Sequence, residues 1–146
     1  MGSTTAAGTA LAISAGAPAA QTAAGFAALA FTEIGGIDKI GTIGASFGKT
    51  EFQPLKGPKD KLKGAVDYGQ LSPSAAYDEA DAGQTLLRTA AEDETNKLYA
   101  FKVTYPTGAV RYCQGRVFGA PESVDGAESV LMINADIGIC TKPIKA

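Results

Sequence analysis

Tyr99–Gly119, YAFKVTYPTGAVRYCQGRVFG, reads as two strands and the turn between them. In the first half, Tyr99, Phe101, Val103 and Tyr105 alternate with Ala100, Lys102 and Thr104. A period of two puts successive side chains on opposite faces, so this is a strand with one apolar face. Pro106-Thr107-Gly108 is turn chemistry, because proline presets φ and glycine accepts positive φ. Ala109 to Phe118 then runs back. The segment predicts a β-hairpin with Tyr99, Phe101, Val103 and Tyr105 against a core and Lys102 and Thr104 turned away from it.

Working outward, Ser129 to Cys140 carries Leu131, Ile133, Ala135, Ile137 and Ile139 on one face and reads as a closing strand. Paired with 109–118 around a loop centred near residues 123 and 124, it sets Cys113 opposite about Asn134 and Cys140 opposite about Thr107. That register argues against a disulfide within the chain. On the other side of the hairpin, Asp81 to about Ala91 reads as a helix. Asp81 is a good N-cap, and Gln84 three positions on makes a capping-box-like pair. Ala82, Leu86, Leu87 and Ala90 recur at helical spacing. Glu92, Asp93 and Glu94 oppose the negative end of the helix dipole and end the helix before them.

The first half is less regular. Residues 1–8 read as a mobile tail, and Thr9 to Ala15 as a short strand with Leu11 and Ile13 on one face. Ala23 to Ala28 reads as one helical turn anchored by Phe26, and Ala30 to Ile34 as extended chain ended by Gly35-Gly36. Ile37, Ile40 and Ile43 fit neither period, with Gly41 and Gly44 between them, and predict a bent strand or a loop. Ala45 to Leu55 is a strand candidate. Lys56 to Gly64, KGPKDKLKG, reads as a hydrophilic loop with Pro58 excluding a ladder position. Ala65 to Ser72 alternates, Pro73 interrupts it, and Ser74 to Tyr77 can resume it. The sum is a mostly β, antiparallel fold in a single domain, residues 1–146, with one helix covering an edge or an end.

Composition excludes several kinds of chemistry. The 146 residues contain no His, which removes the commonest general base and metal ligand. No nucleophile sits in a strand-to-helix elbow, so no catalytic residue is assigned. Cys113 and Cys140 lie too far apart for metal-ligand spacing, and no metal or cofactor is expected. A net charge of −2 argues against a general nucleic-acid binder. No run of about 18 apolar residues is present to span a membrane. The N-terminal stretch lacks the basic start and unbroken apolar core of a secretory signal.

Two patterns point to assembly. Met1 to Thr32 has no charged side chain, and Leu11, Ile13, Phe26 and Phe31 punctuate it. An uncharged stretch needs a covering surface, and these four residues are expected to pack between subunits. Charge is also segregated. Residues 33–64 hold six lysines and four acids, and residues 65–96 hold one arginine and seven acids. Basic and acidic regions can meet between copies stacked head to tail, a heterologous contact that builds rings or filaments.

The order of features resembles the major tail tube proteins of long-tailed, non-contractile phages. GTALAISAGAPAAQTAAGFAALAFTEIGGIDKIGTIG is similar to the family's start, and FGKTEFQPLKGPKDKLKG to its extended loop. DAGQTLLRTAAED is similar to its single helix, YAFKVTYPTGAVRYCQGRVFG to its central hairpin and SVLMINADIGICTKPI to its closing strand. The resemblance implies an antiparallel β-sandwich with one flanking helix. Six copies then form a ring whose inner strands join in a continuous β-barrel, and rings stack head to tail into a tube that conducts DNA from capsid to host cell. It implies a place in a virion tail, made and assembled in the bacterial cytoplasm. The implied partners are tail-end, tape-measure and tail-terminator proteins, with DNA passing through without specific binding.

Within that reading, residues 56–64 form an inter-ring loop in which Lys56, Lys59, Lys61 and Lys63 make contact. Asp67, Asp136, Glu92, Asp93 and Glu94 are candidates for an acidic lumen that does not hold DNA. The alternatives are a tube subunit of a contractile tail or injection system, and an immunoglobulin-like binding module.

Overall fold

The computed structural model describes residues 3–146; Met1 and Gly2 of the expected N-terminal tail lie outside the described residues. The chain folds into β1 (Ala10–Ser14), α1 (Ala23–Ala27), β2 (Thr32–Glu33), β3 (Ile37–Phe52), β4 (Asp60–Ala76), α2 (Ala82–Glu92), β5 (Tyr99–Thr104), β6 (Val110–Gly119), β7 (Glu122–Ser123), β8 (Met132–Asn134), β9 (Asp136–Ile139) and β10 (Ile144–Lys145). Strand takes 47% of the described residues and helix 11%, which places the chain in the mostly β class. All ten strands belong to one antiparallel sheet, curled into half a barrel.

The β5–β6 hairpin is the middle of that sheet. Its register pairs Tyr99 with Gly115, Phe101 with Cys113 and Val103 with Arg111. β1 lies along the other side of β5, pairing Leu11 with Val103 and Ile13 with Phe101, and β2 closes that edge. β9 lies along β6, and β8 and β9 together line one side of β4. β3 pairs only with β4 and is the far edge.

The two faces of the hairpin serve two cores. Leu11, Ile13, Leu71, Phe101, Cys113 and Ile137 have no exposed surface and pack on one face, under Leu87 and Ala90 of α2. Ala100 and Tyr112 point the other way and meet Phe26, Leu29, Phe31 and Ile144. Phe26 stacks on Tyr112 with ring centroids 5.4 Å apart. Alternation therefore buries both faces of β5, not one.

α2 is held where its cap was expected. The Asp81 carboxylate accepts from the Gln84 amide at 2.9 Å and from the Gly35 amide at 3.1 Å, so one side chain caps the helix and fixes the turn before β3. Gln84 does not turn back to complete a capping box. It is fully buried; its Nε2 donates to the carbonyls of Gly35 and Ala76, and its Oε1 accepts from the Asp78 amide. Gly83 makes this approach possible, because a Cβ there would stand 2.1 Å from the Glu33 carbonyl oxygen. Ala82, expected on the apolar side, is exposed.

Three expectations change. Residues 56–64 are not one loop: Asp60 to Gly64 begin β4, and only Gln53–Lys59 connects the strands. Ile37 to Leu55 is not two pieces. Bulges let one bent strand run through to Phe52, and Gly41 at φ +121° lies where a Cβ would meet the Ser72 amide nitrogen at 2.7 Å. Pro73 does not interrupt β4, because it falls where the register with β3 shifts between Ser74 and Leu71, so no ladder donor is missed.

The register of the closing strand also differs. Gly115 pairs with Ile139 and Val117 with Ile137, and the Cys140 amide donates to the Gln114 carbonyl. β7 and its loop take up more chain than a turn centred on residues 123 and 124 allows. Both cysteines are free all the same, Cys113 buried and Cys140 exposed.

Candidate assembly surface

The large apolar side chains of the uncharged N-terminal stretch are turned inward, while most of its small residues are exposed. Leu11, Ile13 and Phe26 have no exposed surface within the chain itself, and Phe31 is half-buried against Tyr112. The expectation that these four pack between subunits is corrected for the first three. The segment lies on both faces of its own hairpin, as β1 in one core and α1 over the other.

One surface that lacks a partner is the long arm made by β3 and β4; a second group of exposed apolar side chains, Phe118, Val124, Val130 and Leu131, lies at the end of β6 and in the loop between β7 and β8. From Asp60 to Gly69, β4 pairs with β3 alone, and the other edge of β3 pairs with no strand among the described residues. At about 3.3 Å per residue, the stretch from Ile43 to Phe52 carries this ribbon roughly 30 Å. A two-stranded ribbon is marginal by itself in water. This one also exposes apolar side chains: Phe47, Phe52, Leu55, Leu62 and Val66. Sequence reading missed this row because each lies in a stretch rich in lysine and glycine. The available signal was large apolar residues recurring at Phe47, Phe52, Leu55 and Leu62 inside otherwise polar chain.

Register divides the arm into two faces. Phe47, Lys49 and Glu51 lie across from Val66, Lys63 and Lys61, while Thr50 and Phe52 lie across from Leu62 and Asp60. The four candidate lysines all sit toward the far end, Lys56 and Lys59 in the tip and Lys61 and Lys63 on β4. Two have partners in the chain. Lys59 lies 3.1 Å from Glu51, both half-exposed, a pair worth little in water. The Lys63 ammonium sits 4.8 Å above the Phe47 ring. The tip itself is held: Gln53 Nε2 donates to the carbonyls of Pro54 at 3.1 Å and Gly57 at 3.2 Å.

The five candidate acids are dispersed. Asp67 lies on the arm and accepts from the Gly69 amide at 3.0 Å, bracing a bulge where Gly69 adopts φ +104°. Asp136 lies on β9 and accepts from the side chain of Gln70. Glu92, Asp93 and Glu94 cluster at the end of α2, where Glu92 is the last helical residue, one beyond the expected stop, and Asp93 the C-cap. Hydrogen bonds from the Thr95 hydroxyl and amide, then from the Tyr99 hydroxyl, hold the Asp93 carboxyl below the usual carboxylate range. The structure therefore joins the helix-end trio but brings neither Asp67 nor Asp136 to it.

Among the described residues no group of three or more His, Cys, Asp and Glu is placed to hold a metal. Burial pushes the Cys113 thiol up to about 12, so it stays protonated and packs as a small apolar group. No helix among the described residues is long and apolar enough to cross a membrane.

No protein-family model matches the sequence, and no curated protein matches it. Solved structures do share its fold. In the cryo-EM structure of the sheath/tube terminator of an extracellular contractile injection system, PVC, in the extended state, one chain is similar at TM-score 0.69 and 7% identity, over 100% of this chain and 98% of that chain. A chain of the anti-feeding prophage baseplate is similar at TM-score 0.67 and 10% identity, over 99% of this chain and 97% of that chain. A chain of the PVC sheath-tube complex gives TM-score 0.62 and 8% identity, over 94% of this chain and 87% of that chain. The fold is thus one found among chains of phage-like tail assemblies, matched along its whole length.

Proposed function

We propose that the chain is a structural, non-catalytic subunit of a phage-like tail and that its copies form hexameric rings stacked into a hollow tube. The observation that carries this is the β3–β4 arm, a long open sheet edge with exposed apolar side chains. Such an edge is an aggregation hazard unless something pairs with it. Copies related by a rotation that closes give every arm a neighbour and leave no free edge, as barrel closure requires. Sheet curvature supports the reading, because half a barrel per chain already bends toward closure. The full-length match to chains of tube-bearing and baseplate assemblies supports it again.

In this reading Lys56, Lys59, Lys61 and Lys63 contact the next ring, and tail-end, tape-measure and terminator proteins meet the tube at its ends. Asp67, Asp136, Glu92, Asp93 and Glu94 remain the candidates for a lumen that lets DNA slide. The assembly belongs in a virion or phage-like particle built in the bacterial cytoplasm. Two kinds of tail fit. The sequence resemblance favours a bare, non-contractile tube, whereas the structural likeness to contractile injection assemblies favours a tube within a sheath. Recovery of a sheath protein on the isolated polymer separates them.

Sedimentation velocity of the purified chain tests the proposal. A species of six chains or more, growing with concentration, is expected; a monomer at every concentration contradicts it. Replacing all four lysines with serine is expected to shorten the polymers while leaving the ring. Polymers of normal length from that variant would remove the lysines from the ring-to-ring contact.

A further inference from the structure

α2 and one end of the sheet form a groove that includes no residue of the arm. About 350 Å³ in volume, it lies between Arg88, Ala91 and Glu92 of α2 and residues 119–122, where the chain leaves β6 and becomes β7. β7 ends the sheet there: it pairs with β8, and its other edge pairs with no strand among the described residues. Arg88 is the anomaly of the groove. Its guanidinium lies 5.0 Å from the centre of the Tyr77 ring, and Nη2 donates to the Thr85 hydroxyl at 3.1 Å. Nη1 is screened from solvent and has no acceptor, alone among the buried side-chain nitrogens and oxygens of the described residues. A buried donor left unpaired is costly, and more so when it carries charge.

Two carboxylates share the groove with that one cation. Glu92 and Glu122 line it, no lysine does, and the one ion pair among the described residues, Lys59 with Glu51, lies elsewhere. This combination selects its ligand. A free anion meets two carboxylates for one guanidinium. A bare cation leaves Nη1 unpaired and is repelled by Arg88. An extended peptide carrying a basic residue satisfies both: a main-chain carbonyl is a neutral acceptor for Arg88, and a lysine or arginine head group pairs with Glu92 and Glu122. The small walls of Ala91, Ala120 and Pro121 leave room for the methylene stem of such a side chain. The chain's own basic end is engaged elsewhere, with Lys145 paired across from Arg111 on β6 and Ala146 bonded to the Val110 amide.

We infer that the groove between α2 and β7 docks an extended, basic segment of another protein. Arg88 is half-buried and lines the groove, so a turn of its guanidinium about the end of the side chain brings Nη1 to the carbonyl of the segment. Glu92 and Glu122 then hold the cationic side chain. Of the five lumen candidates only Glu92 lines the groove, and the inference assigns it to this contact instead. The site stands apart from the arm and does not depend on the tube reading.

Fluorescence anisotropy tests it, with the full chain titrated into a fluorescein-labelled, end-blocked peptide, Ala-Lys-Val-Lys-Ala. A saturable rise is expected, with none for the same peptide carrying Glu in place of Lys. Glu92→Gln with Glu122→Gln is expected to weaken binding about tenfold, the effect of two partly exposed ion pairs. Asp125→Asn with Glu128→Gln, on the exposed loop before β8, should leave it unchanged. Arg88→Met separates the two roles open to Arg88. It weakens binding if the guanidinium holds a carbonyl, and tightens it if Arg88 only repels the cation; tightening overturns the inference. No saturable rise at any chain concentration also overturns it, as does equal weakening by the Asp125 and Glu128 pair or preference for the Glu peptide. Anisotropy that falls again at high chain concentration makes a second copy the occupant and overturns the assignment to another protein. Because the unaltered chain gives the first readout, the test stands even if a variant fails to fold. Polymer growth is read separately by sedimentation, so failure here leaves the tube reading intact.

Discussion

Gln84 fastens three segments with one side chain. Its amide satisfies the Gly35 and Ala76 carbonyls and the Asp78 amide, all close to the start of the arm. Gln84→Leu leaves those groups buried and unpaired and is expected to cost about 3 kcal/mol, read as a lower urea midpoint at unchanged slope. An unchanged midpoint contradicts the role assigned here. Asp93 gives a pH-dependent counterpart. Hydrogen bonds from Thr95 and Tyr99 depress its folded-state pKa, so its contribution is fully present above the ordinary carboxylate value of about 4 and is lost as pH falls through the depressed value. Thr95→Val removes the hydroxyl that dominates this shift. The variant is expected to melt below the parent at neutral pH, with the gap narrowing in acid. A gap that stays constant to low pH contradicts the assignment. Tyr99 has the opposite sign: burial, then Asp93, raises its pKa, so its share persists below about pH 10 and fades as pH rises through the raised value.

At the scale of elements, the N-terminal stretch and the arm exchange the roles that composition suggests. Phe26 on α1 covers Tyr112 and Ala100, so Phe26→Ala is expected to cost about 3–5 kcal/mol of chain stability. Loss of assembly without loss of stability would return Phe26 to an intersubunit role. On the arm, Phe47→Glu with Val66→Glu changes an exposed cross-strand pair. It is expected to abolish self-association while retaining the folded body, checked by light scattering and near-ultraviolet circular dichroism. The β5–β6 hairpin and α2 were legible because period-two and helical spacing are local, and Asp81 announces its cap. The arm was not. Bulges near Gly41, Gly44 and Gly64 break the alternation, and no local rule says that KDKLKG pairs with a strand ten residues earlier. The second core on Ala100 and Tyr112 was hidden for another reason: alternation identifies faces but does not say how many of them are covered.

For the whole molecule, the decisive feature is the contrast between a body built around two buried cores and an arm that has none. The body has two cores, a capped helix and a short edge strand, β2. The arm extends an open edge and exposed apolar side chains on both its faces into solvent. Burial of those side chains between copies is a reserve of stabilisation that the lone chain leaves unused. The fold is shared with chains of contractile injection assemblies, although fewer than one residue in nine is identical across the structures compared. The fold therefore tolerates almost complete replacement of side chains.

Negative-stain imaging of the purified chain across a concentration series tests the central claim most directly. The account predicts uniform rings at low concentration and hollow rods of the same diameter as concentration rises. Dispersed single subunits at every attainable concentration contradict it.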